Sequence, residues 1–428
     1  MGGRHLFMAN VKKVLMLVEN QPAPADRRVW PEALALRDQG FQVSIISPKG
    51  TTKCRESHVC IDGIHIYRYR LPGTGHKYVA YFAEYGVAML KTFWLSLKVL
   101  VRHGFDVIHA ANPPDMFFAL GLFYRLFGKK FIFDQHDLSP EMFQVIYKGR
   151  LKLIHRVLLF MESRSYRTSH LVITSNVSQR QFAIERGGCH ASRVFVVRNG
   201  PDLRRLEVPR PEPELKRGRR YLLAYVGVMA VQDGVEYTLY ALHELVHKRG
   251  RQDVSLVLMG DGDSAPALHR LAHQLDLDDY VNFTGWTENK DVLRYLASAD
   301  VGLSPDPQNG LNEYCTMIKT MEYMAMGKPV VAFDLAETRY SAQDGALYAT
   351  PNVIEDFADK IEILLDNEEL RLAMGALGRK RIEEELNWAH SVKNLLLAYE
   401  TLFPADLEPQ VSADQAELVA SESVTPSL

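Results

Sequence analysis

The chain has 428 residues, of which 47% are hydrophobic and 24% are charged, and its formal net charge is -2 at pH 7. This length predicts two domains, and this composition allows a large core in each of them. The near-neutral charge argues against a general nucleic-acid binder, which usually needs a strongly basic face. We therefore expect no nucleic-acid partner.

The cysteines and the N-terminal segment indicate the cellular compartment in which the protein is expected. None of the four cysteines forms a C-x-x-C pair or stands at metal-ligand spacing, so we expect free thiols in a reducing compartment. The N-terminal segment lacks a cleavable signal pattern. The longest apolar run is interrupted by Glu84, Lys91 and Lys98, which argues against a membrane span. These features predict a cytoplasmic protein.

The first half of the chain alternates short apolar runs with longer helical patterns. Such runs suit strands that are buried on both faces, and their alternation with helices predicts a parallel sheet built from βαβ units. The strands predicted in this half are 14–18, 42–47, 64–69, 107–110, 130–133, 171–174 and 194–197. The clearest helices predicted between them are 30–39 and 114–126.

A charged segment with three prolines, 202–220, has the composition of a linker, and the strand–helix pattern restarts after it. The strands predicted in the second half are 221–226, 254–259, 281–284, 301–304 and 329–332. The helices predicted there are 235–248, 265–275, 289–297, 353–366, 368–384 and 388–403. In open parallel sheets, ligands bind at the carboxyl ends of the strands, so the cleft between the two halves is the predicted site.

One segment, 312–331, has the sequence NEYCTMIKTMEYMAMGKPVV and predicts a short helix. Thr316 is its predicted N-cap and Gly327 its predicted C-terminal stop. The free N–H groups and partial positive charge at the start of this helix suit a diphosphate. Lys319 would stand beside that ligand, and Glu322 can accept two ribose hydroxyls. The alternative is a surface helix in which Lys319 and Glu322 pair with each other.

The run K-x-x-E-Y-M-A-x-G-K-P-V-V, which begins at Lys319, resembles the donor-site signature of the family 4 glycosyltransferases. This family has the GT-B fold, in which two Rossmann-like, doubly wound α/β domains face each other across a cleft and a C-terminal helix returns to the first domain. The resemblance extends over about 14–403. Its further matches are Asp26–Val29, His136–Asp137, Asn199–Gly200, Gly227–Met229 and Gly285–Trp286.

Together, the pattern and the resemblance imply a division of the chain. We predict an N-terminal acceptor-side domain over 1–203, a linker over 204–220 and a nucleotide-sugar-binding domain over 221–387. A returning helix over 388–403 and a disordered tail over 404–428 complete the prediction.

The resemblance also implies roles for individual residues. Glu322 would hold the nucleotide ribose, and Lys319 would hold the diphosphate. His136 would contact the transferred sugar near its reacting carbon, and Asp137 would orient His136 or bind acceptor hydroxyls. Glu313, one position from the usual second glutamate of the family, would face the sugar. His136, Lys319 and Asp137 are therefore the catalytic candidates. The remaining nucleotide-binding candidates are Gly227, Met229, Gly285, Met317 and Ile318.

The loop after residue 226 departs from the family pattern. It reads GVMAVQDG, where relatives usually carry G-R-x-x-x-x-K-G, so Val228 and Asp233 replace an arginine and a lysine. Two positive charges are missing, and Lys319 becomes the cation expected at the diphosphate. Asp261 and Asp263 form a D-x-D pattern, but the glycines around them indicate a turn. We expect no metal there.

The function implied by the resemblance is transfer of a sugar from a nucleoside-diphosphate sugar to a glycan or lipid-linked acceptor. The resemblance also implies that the reaction retains the anomeric configuration and needs no metal and no bound cofactor. It implies a role in the synthesis of a cell-envelope or extracellular polysaccharide. Two alternatives stay open: a non-hydrolysing sugar-nucleotide epimerase and a non-catalytic GT-B nucleotide-binding module. Two basic, apolar stretches, 90–104 and 147–167, suit either an anionic membrane surface, at the inner face of the cell membrane, or core-facing helices.

Overall fold

The first sheet lies in the N-terminal half of the chain. The computed structural model describes residues 11–50, 53–71 and 78–403, and it describes only the backbone of 78–83. The strands of this sheet are β1 (Lys13–Leu17), β2 (Gln42–Pro48), β3 (His58–Ile61), β4 (Ile64–Tyr69), β5 (Val107–Ala111), β6 (Lys130–Gln135), β7 (Leu171–Thr174) and β8 (Val194–Val196). Their order across the sheet is β3-β4-β2-β1-β5-β6-β7-β8, and all neighbours are parallel except β3 and β4.

The second sheet is parallel throughout its described strands. They are β9 (Tyr221–Val226), β10 (Val254–Met259), β11 (Val281–Gly285), β12 (Val301–Ser304), β13 (Val330–Phe333) and β14 (Ala346–Ala349). Their order is β11-β10-β9-β12-β13-β14, so the sheet is wound outward in both directions from β9. This arrangement confirms the predicted α/β fold with two parallel sheets.

Helices cover both faces of each sheet. They are α1 (Val29–Asp38), α2 (Tyr78–Arg102), α3 (Phe118–Arg125), α4 (Ser139–Ile146), α5 (Lys152–Thr168), α6 (Val177–Glu185), α7 (Glu236–His243), α8 (Ala265–Gln274), α9 (Asn289–Ser298), α10 (Ile318–Ala325), α11 (Ala336–Ala342), α12 (Ile354–Asp366), α13 (Glu368–Arg381) and α14 (Trp388–Leu402). Because most strands are buried on both faces, each sheet has two hydrophobic cores, one under each helical layer. Among the described residues, no helix combines the length and apolar character that a membrane crossing needs.

The last helix, α14, packs on the first sheet although it follows the second sheet in the chain. Trp388 and Tyr399 are buried in the core beneath β1 and β5. The hydroxyl of Tyr399 hydrogen-bonds Nδ1 of His109, which lies in β5, at 2.9 Å. Asn387 begins the helix, since its side chain accepts a hydrogen bond from the backbone N–H of Ala389 at 3.0 Å.

Two strands were missed by the sequence patterns. The residues of β3 alternate between exposed and half-buried, so they form no apolar run. The sequence of β14 is ALYA, whose small residues give little strand signal. Two predicted helices also end early as α-helices, because α7 and α13 each continue into a short π-helical turn, Glu244–Lys248 and Ile382–Leu386. The predicted tail over 404–428 lies outside the described residues.

Candidate functional site

The carboxyl ends of the two sheets face each other across a cleft. Side chains from the loops that follow the strands connect the two edges. Arg27, from the loop after β1, donates to Glu322 in α10 at 2.9 Å. Asn176, after β7, donates to the carbonyl of Tyr314 at 2.9 Å and to the hydroxyl of Thr316 at 3.1 Å. At the edge where the site is predicted, residues of the two halves therefore lie within hydrogen-bond distance of each other.

The helix α10 begins one residue later than predicted. Met317, in extended conformation, precedes it, and no side chain caps it, so the predicted cap at Thr316 is wrong. Thr316 instead accepts a hydrogen bond from Asn176, which removes its hydroxyl from the helix end. The predicted end is confirmed, since Gly327 follows the helix with a φ of +67°, a conformation that favours glycine. The first N–H groups of α10 thus lack a side-chain cap.

Tyr323 fixes α10 against the second sheet. Its hydroxyl donates to the carbonyl of Leu303 in β12 at 3.0 Å and accepts from the N–H of Val226, the last residue of β9, at 3.0 Å. A Cβ at Gly302 would lie 2.3 Å from the Tyr323 ring, so this position in β12 requires a glycine. The tyrosine of the E-Y-M motif therefore sets the position of the helix start relative to the strand ends.

Lys319 is buried in an acidic environment. Its Nζ lies 2.5 Å from Oδ1 of Asp306, which follows β12, and the side chains are 9% and 3% exposed. Burial lowers the pKa of Lys319, but Asp306 and Asp233 outweigh that effect and raise it, so the amine is charged. Burial and Asp306 in turn raise the pKa of Asp233 to about 6, against the opposing effect of Lys319. The carboxylate of Asp306 thus provides an anionic neighbour for Lys319 within the chain itself.

Glu322 projects from α10 toward the first sheet. Its pKa is raised by burial, and the guanidinium of Arg27 opposes this shift. The partner guanidinium is 63% exposed, so it can leave at little cost. Because Glu322 pairs with Arg27 and Lys319 pairs with Asp306, the interpretation in which these two helix residues simply pair with each other is wrong. Glu322 is left as an acceptor at the cleft surface.

The loops after β9 and β10 pack backbone against backbone. A Cβ at Gly260 would lie 1.8 Å from the carbonyl oxygen of Gly227, and a Cβ at Gly262 would lie 2.5 Å from that of Met229. The N–H of Met229 donates to the carbonyl of Asp261 at 3.0 Å, and Met229 is only 1% exposed. Gly285, with a φ of +66°, ends β11 beside them. The glycines among these positions leave backbone uncovered at the strand ends because they carry no side chains.

Other predicted nucleotide-site residues differ in exposure. Met317 is 8% exposed and belongs to the core, whereas Ile318 is 38% exposed at the start of α10. Glu313 lies in a short 3-10 helix, Asn312–Tyr314. Its carboxylate accepts from the N–H of Ala336 at 3.3 Å and from the amide of Gln308 at 3.3 Å. These hydrogen bonds hold Glu313 to neighbouring loops of its own half.

His136 is held by the carboxylate of Asp134, a residue that the sequence patterns did not indicate. Its Nε2 lies 2.6 Å from Oδ2 of Asp134, a fully buried residue of β6. Burial would raise the pKa of Asp134, but Arg28 and His136 together keep it well below its usual value. An ionised carboxylate only accepts hydrogen bonds, so Nε2 of His136 carries the hydrogen. Asp134, rather than Asp137, therefore orients this ring.

Asp137 has a different environment. The side-chain oxygen of Asn112 accepts from the N–H groups of His136 and Asp137 at 2.6 and 3.1 Å, which fixes the loop. Burial raises the pKa of Asp137, against the opposing charges of His136 and Arg28. After burial itself, Asp137 is the largest cause of the raised pKa of the Cys315 thiol, just before α10. The charge of Asp137 therefore acts on the segment just before α10.

Arg28 is the cation of this buried network. It donates to both oxygens of Asp134, at 3.2 and 2.7 Å, and to the carbonyl of Val197 at 2.7 Å. Glu32 is another buried carboxyl of this network, and its pKa is raised well above normal, first by burial and then by Asp134. His109 connects the network to α14, because its Nε2 lies 3.3 Å from Asp134. Charged groups are rarely this buried unless they are paired, so the network is a constraint on the fold.

Sequence signals existed for some of these missed residues. Asp134 interrupts the apolar run FIF in a strand that is buried on both faces, and a charge there requires a partner. Asp306 lies two residues beyond the apolar strand β12, where ligand-binding side chains tend to lie. Arg28 lies in the family match Asp26–Val29, but its place in a run of charged residues at a helix start gave no sign of a buried partner.

Two family models match this chain. Residues 25–205 match the family model described as Glycosyltransferase Family 4, and residues 220–367 match the model described as glycosyl transferases group 1, so the two matches cover most of the chain. An α-D-kanosaminyltransferase from Streptomyces kanamyceticus is 32% identical over 157 residues. That match spans 36% of this chain and 39% of that enzyme, which is less than two thirds of its length.

Solved structures share the architecture at low sequence identity. Sucrose-phosphate synthase from Thermosynechococcus elongatus has a TM-score of 0.74 at 16% identity, covering 92% of this chain and 100% of that chain. HepE from Anabaena, in complex with UDP-glucose, has a TM-score of 0.65 at 15% identity, covering 91% and 99%. At this sequence identity, the similarity to the solved structures shows only the fold. The family is shown by the matches to the family models. The chain therefore belongs to family 4 of the glycosyltransferases and has the GT-B fold.

Proposed function

We propose that this glycosyltransferase moves a sugar from a nucleoside-diphosphate sugar to a glycan or lipid-linked acceptor with retention of configuration. The product would belong to a cell-envelope or extracellular polysaccharide. The observation that carries the proposal is the uncapped start of α10 at the cleft, with Lys319 and Glu322 on the helix and His136 on the opposite edge. HepE, which shares the fold, was solved with UDP-glucose, and this supports the same class of donor.

In the proposed donor site, backbone groups and side chains bind different parts of the nucleotide sugar. The N–H groups at the start of α10, with Ile318 among them, would bind the diphosphate together with Lys319, and Glu322 would bind the ribose hydroxyls. Gly227, Met229 and Gly285 would supply close backbone approach to the nucleotide. Fixed donors aimed at the departing diphosphate stabilise the negative charge that develops on it as the glycosidic bond breaks.

On the acceptor side, His136 and Asp137 would contact the reacting sugars. The hydrogen bond from His136 Nε2 to Asp134 leaves the other ring nitrogen, Nδ1, to interact with substrate. Glu313 would approach the sugar from the loop before α10, which requires its hydrogen bond to Gln308 to open. No enzyme nucleophile and no metal are part of the proposal.

A panel of nucleotide sugars tests the function. Purified protein would be incubated with each donor, with and without a membrane lipid extract, and with and without a chelator. We expect free nucleoside diphosphate and a glycosylated acceptor by mass, with activity unaffected by the chelator. Anomeric signals in the product's NMR spectrum would report retention. An isomerised nucleotide sugar with no transfer would instead support the epimerase, and binding without turnover the non-catalytic module.

Asp233 is expected to make donor binding depend on pH. It lies close enough to Lys319 to shift its pKa, and its own pKa is about 6. A lower pH protonates Asp233 and removes a negative charge from the phosphate site. We expect the affinity for the best nucleotide sugar to rise roughly tenfold between about pH 7.5 and about pH 5.5, which corresponds to about 1.4 kcal/mol. Calorimetric titration across this range measures it.

Substitutions at Asp233 provide the controls. Asp233→Asn should bind at neutral pH as tightly as the wild type does in acid, and its affinity should no longer change with pH. Asp233→Lys restores the charge usual in the family and should bind more tightly still. Asp278→Asn removes a surface carboxylate that pairs with His273, and it should leave the pH profile intact. An unaltered profile in Asp233→Asn would contradict the assignment.

We also propose that the first half docks on an anionic membrane surface. The outer stripes of α2 and α5 combine exposed apolar and basic side chains; Trp94 is 68% exposed and Phe160 is 54% exposed. The residues of this basic-apolar face are Leu90, Lys91, Trp94, Lys98, Val101 and Arg102 in α2, and Lys152, Leu153, Arg156, Phe160, Arg164 and Arg167 in α5. Apolar insertion and attraction to anionic lipid would act together.

Vesicle sedimentation tests this docking. We expect binding to phosphatidylglycerol vesicles at low salt and little binding to phosphatidylcholine vesicles. Trp94→Ser combined with Phe160→Ser should lower partitioning roughly tenfold, because two exposed apolar side chains that would insert into the membrane are lost. Leu372→Ser, which alters an equally exposed residue of α13, is the matched control and should bind as the wild type does. Equal partitioning of both variants would exclude this face.

A further inference from the structure

Three histidines meet at the edge of the first sheet, outside the cleft. His58 lies in β3, His65 lies near the start of β4, and His103 follows the last residue of α2. One potential ligand nitrogen from each ring lies within 4.8 Å of the other two. Nδ1 of His65 is shielded from solvent and has no hydrogen-bond partner in the described structure. A shielded nitrogen without a partner is costly, unless something else occupies its lone pair.

The hairpin places a cysteine next to this cluster, although its Sγ does not lie within 4.8 Å of all three histidine ligand atoms. The antiparallel register pairs Cys60 with His65. The N–H of Arg68 donates to the carbonyl of Ser57 at 2.9 Å, and hydrogen-bonded pairs alternate with non-hydrogen-bonded ones along the ladder. Cys60 and His65 therefore form a non-hydrogen-bonded pair, with Cα atoms about 4.5 Å apart. The Cys60 thiol is free, and it shares its face of the hairpin with His58, two residues away.

A hydrogen bond orients one of the three imidazole rings. The hydroxyl of Tyr67 lies 2.8 Å from Nε2 of His103. This contact leaves Nδ1 of His103 for a ligand, and an outer hydrogen bond of this kind is what orients metal-binding imidazoles.

We propose that the β3–β4 hairpin and the end of α2 bind one zinc ion, with the ligands His58, Cys60, His65 and His103. Three imidazoles and one thiolate form a tetrahedral set that zinc prefers. Two exposed cations near the end of α2 oppose a doubly charged ion: Lys98, whose Nζ lies 5.6 Å from the centre of the Tyr67 ring, and Arg102. The Cys60 thiolate offsets one of the two charges, so the site requires the cysteine.

Binding requires a local rearrangement of the rings. His65 and His103 are stacked with ring centroids 4.1 Å apart and an interplanar angle of 22°, whereas a bound ion must lie in the plane of each ring. At least one ring must turn, and the ligand atoms must approach until each lies about 2.0–2.3 Å from the ion. The ion would then join the antiparallel edge strand to the end of α2. This function is independent of the glycosyl transfer proposed above.

Cobalt substitution tests the site in the full chain. Added Co²⁺ should bind one ion per chain and produce a thiolate-to-cobalt charge-transfer band, and zinc should displace it. Cys60→Ser should abolish that band and weaken zinc binding at least about tenfold, whereas Cys54→Ser should change neither. His58→Ala and His65→Ala should each weaken binding at least about tenfold, since each removes a ligand. Zinc should raise the Tm of the wild type and of Cys54→Ser but not that of the other variants.

Several results would overturn the zinc site. These are no charge-transfer band in the wild type, a band that survives Cys60→Ser, or zinc affinity that is unchanged in the histidine variants. Circular dichroism shows whether each variant is folded. If an alanine variant fails to fold, His103→Gln provides the replacement, because glutamine keeps a polar contact with Tyr67 but is a poor zinc ligand. Retained zinc affinity in folded His103→Gln would also contradict the proposal.

Discussion

Replacement of Glu322 by alanine is expected to weaken nucleotide-sugar binding at least about 100-fold with little change in Tm. Two ribose hydroxyls would each lose a hydrogen bond to a charged acceptor, worth about 1.5–3 kcal/mol apiece. The folded state loses only the ion pair to Arg27, whose side chain is 63% exposed, so stability should change by less than about 1 kcal/mol. Titration calorimetry and thermal denaturation measure the two effects.

Arg27→Ala is the matched variant for Glu322. It removes the other half of the same ion pair and leaves the carboxylate available, so nucleotide affinity should stay the same or rise. Glu322→Gln keeps one acceptor oxygen without the charge and should fall between the wild type and Glu322→Ala. If Arg27→Ala loses as much affinity as Glu322→Ala, the pair itself is required, and the ribose assignment is contradicted.

Asp134→Asn is expected to reduce both stability and activity. The substitution leaves Arg28, which is 5% exposed, without its main counter-charge, and breaking such a buried pair costs about 3–5 kcal/mol. Removal of the carboxylate also releases Nε2 of His136, so the ring loses its fixed tautomer and orientation. We expect the transfer rate to fall roughly 100-fold or more, the usual range for a lost proton-transfer or orienting group. Urea denaturation and steady-state kinetics provide the two measurements.

The double variant separates positioning from general destabilisation. If Asp134 acts through His136, then Asp134→Asn combined with His136→Ala should have the same rate as His136→Ala alone. The loss of stability should persist in the double variant, because Arg28 remains unpaired. His136→Ala alone should cost less stability than Asp134→Asn, since it leaves the buried pair of Arg28 and Asp134 intact. Rate losses that add in the double variant would show that Asp134 acts independently of the histidine.

The parallel sheets could be predicted from the sequence because their strands are apolar on both faces. Runs such as those in β5 and β9 are buried at every position, and that burial is visible as unbroken hydrophobicity. The edge strand β3 could not be found in this way, because its residues face solvent on one side. Its partner β4 was found, so only the hairpin, and with it the position of Cys60 beside His65, depended on the three-dimensional structure.

The candidate site was predictable where it depends on local spacing. The position of Glu322 on a short helix ended by Gly327 follows from the sequence of that helix. The partners of the charged groups did not follow, because they come from other segments. Asp306, which lies before α10, pairs with Lys319, and Arg28 contacts Asp134, which is more than a hundred residues away in the chain. Such pairings are set by tertiary packing, and residue spacing carries no information about them.

A structure of the protein with its best-binding nucleoside diphosphate tests the central claim most directly. The account predicts ribose hydroxyls on the carboxylate of Glu322, with Arg27 displaced from it. The diphosphate should lie at the N–H groups that begin α10, within hydrogen-bond distance of Lys319. A nucleotide bound elsewhere, with the Arg27–Glu322 pair intact, would contradict the account.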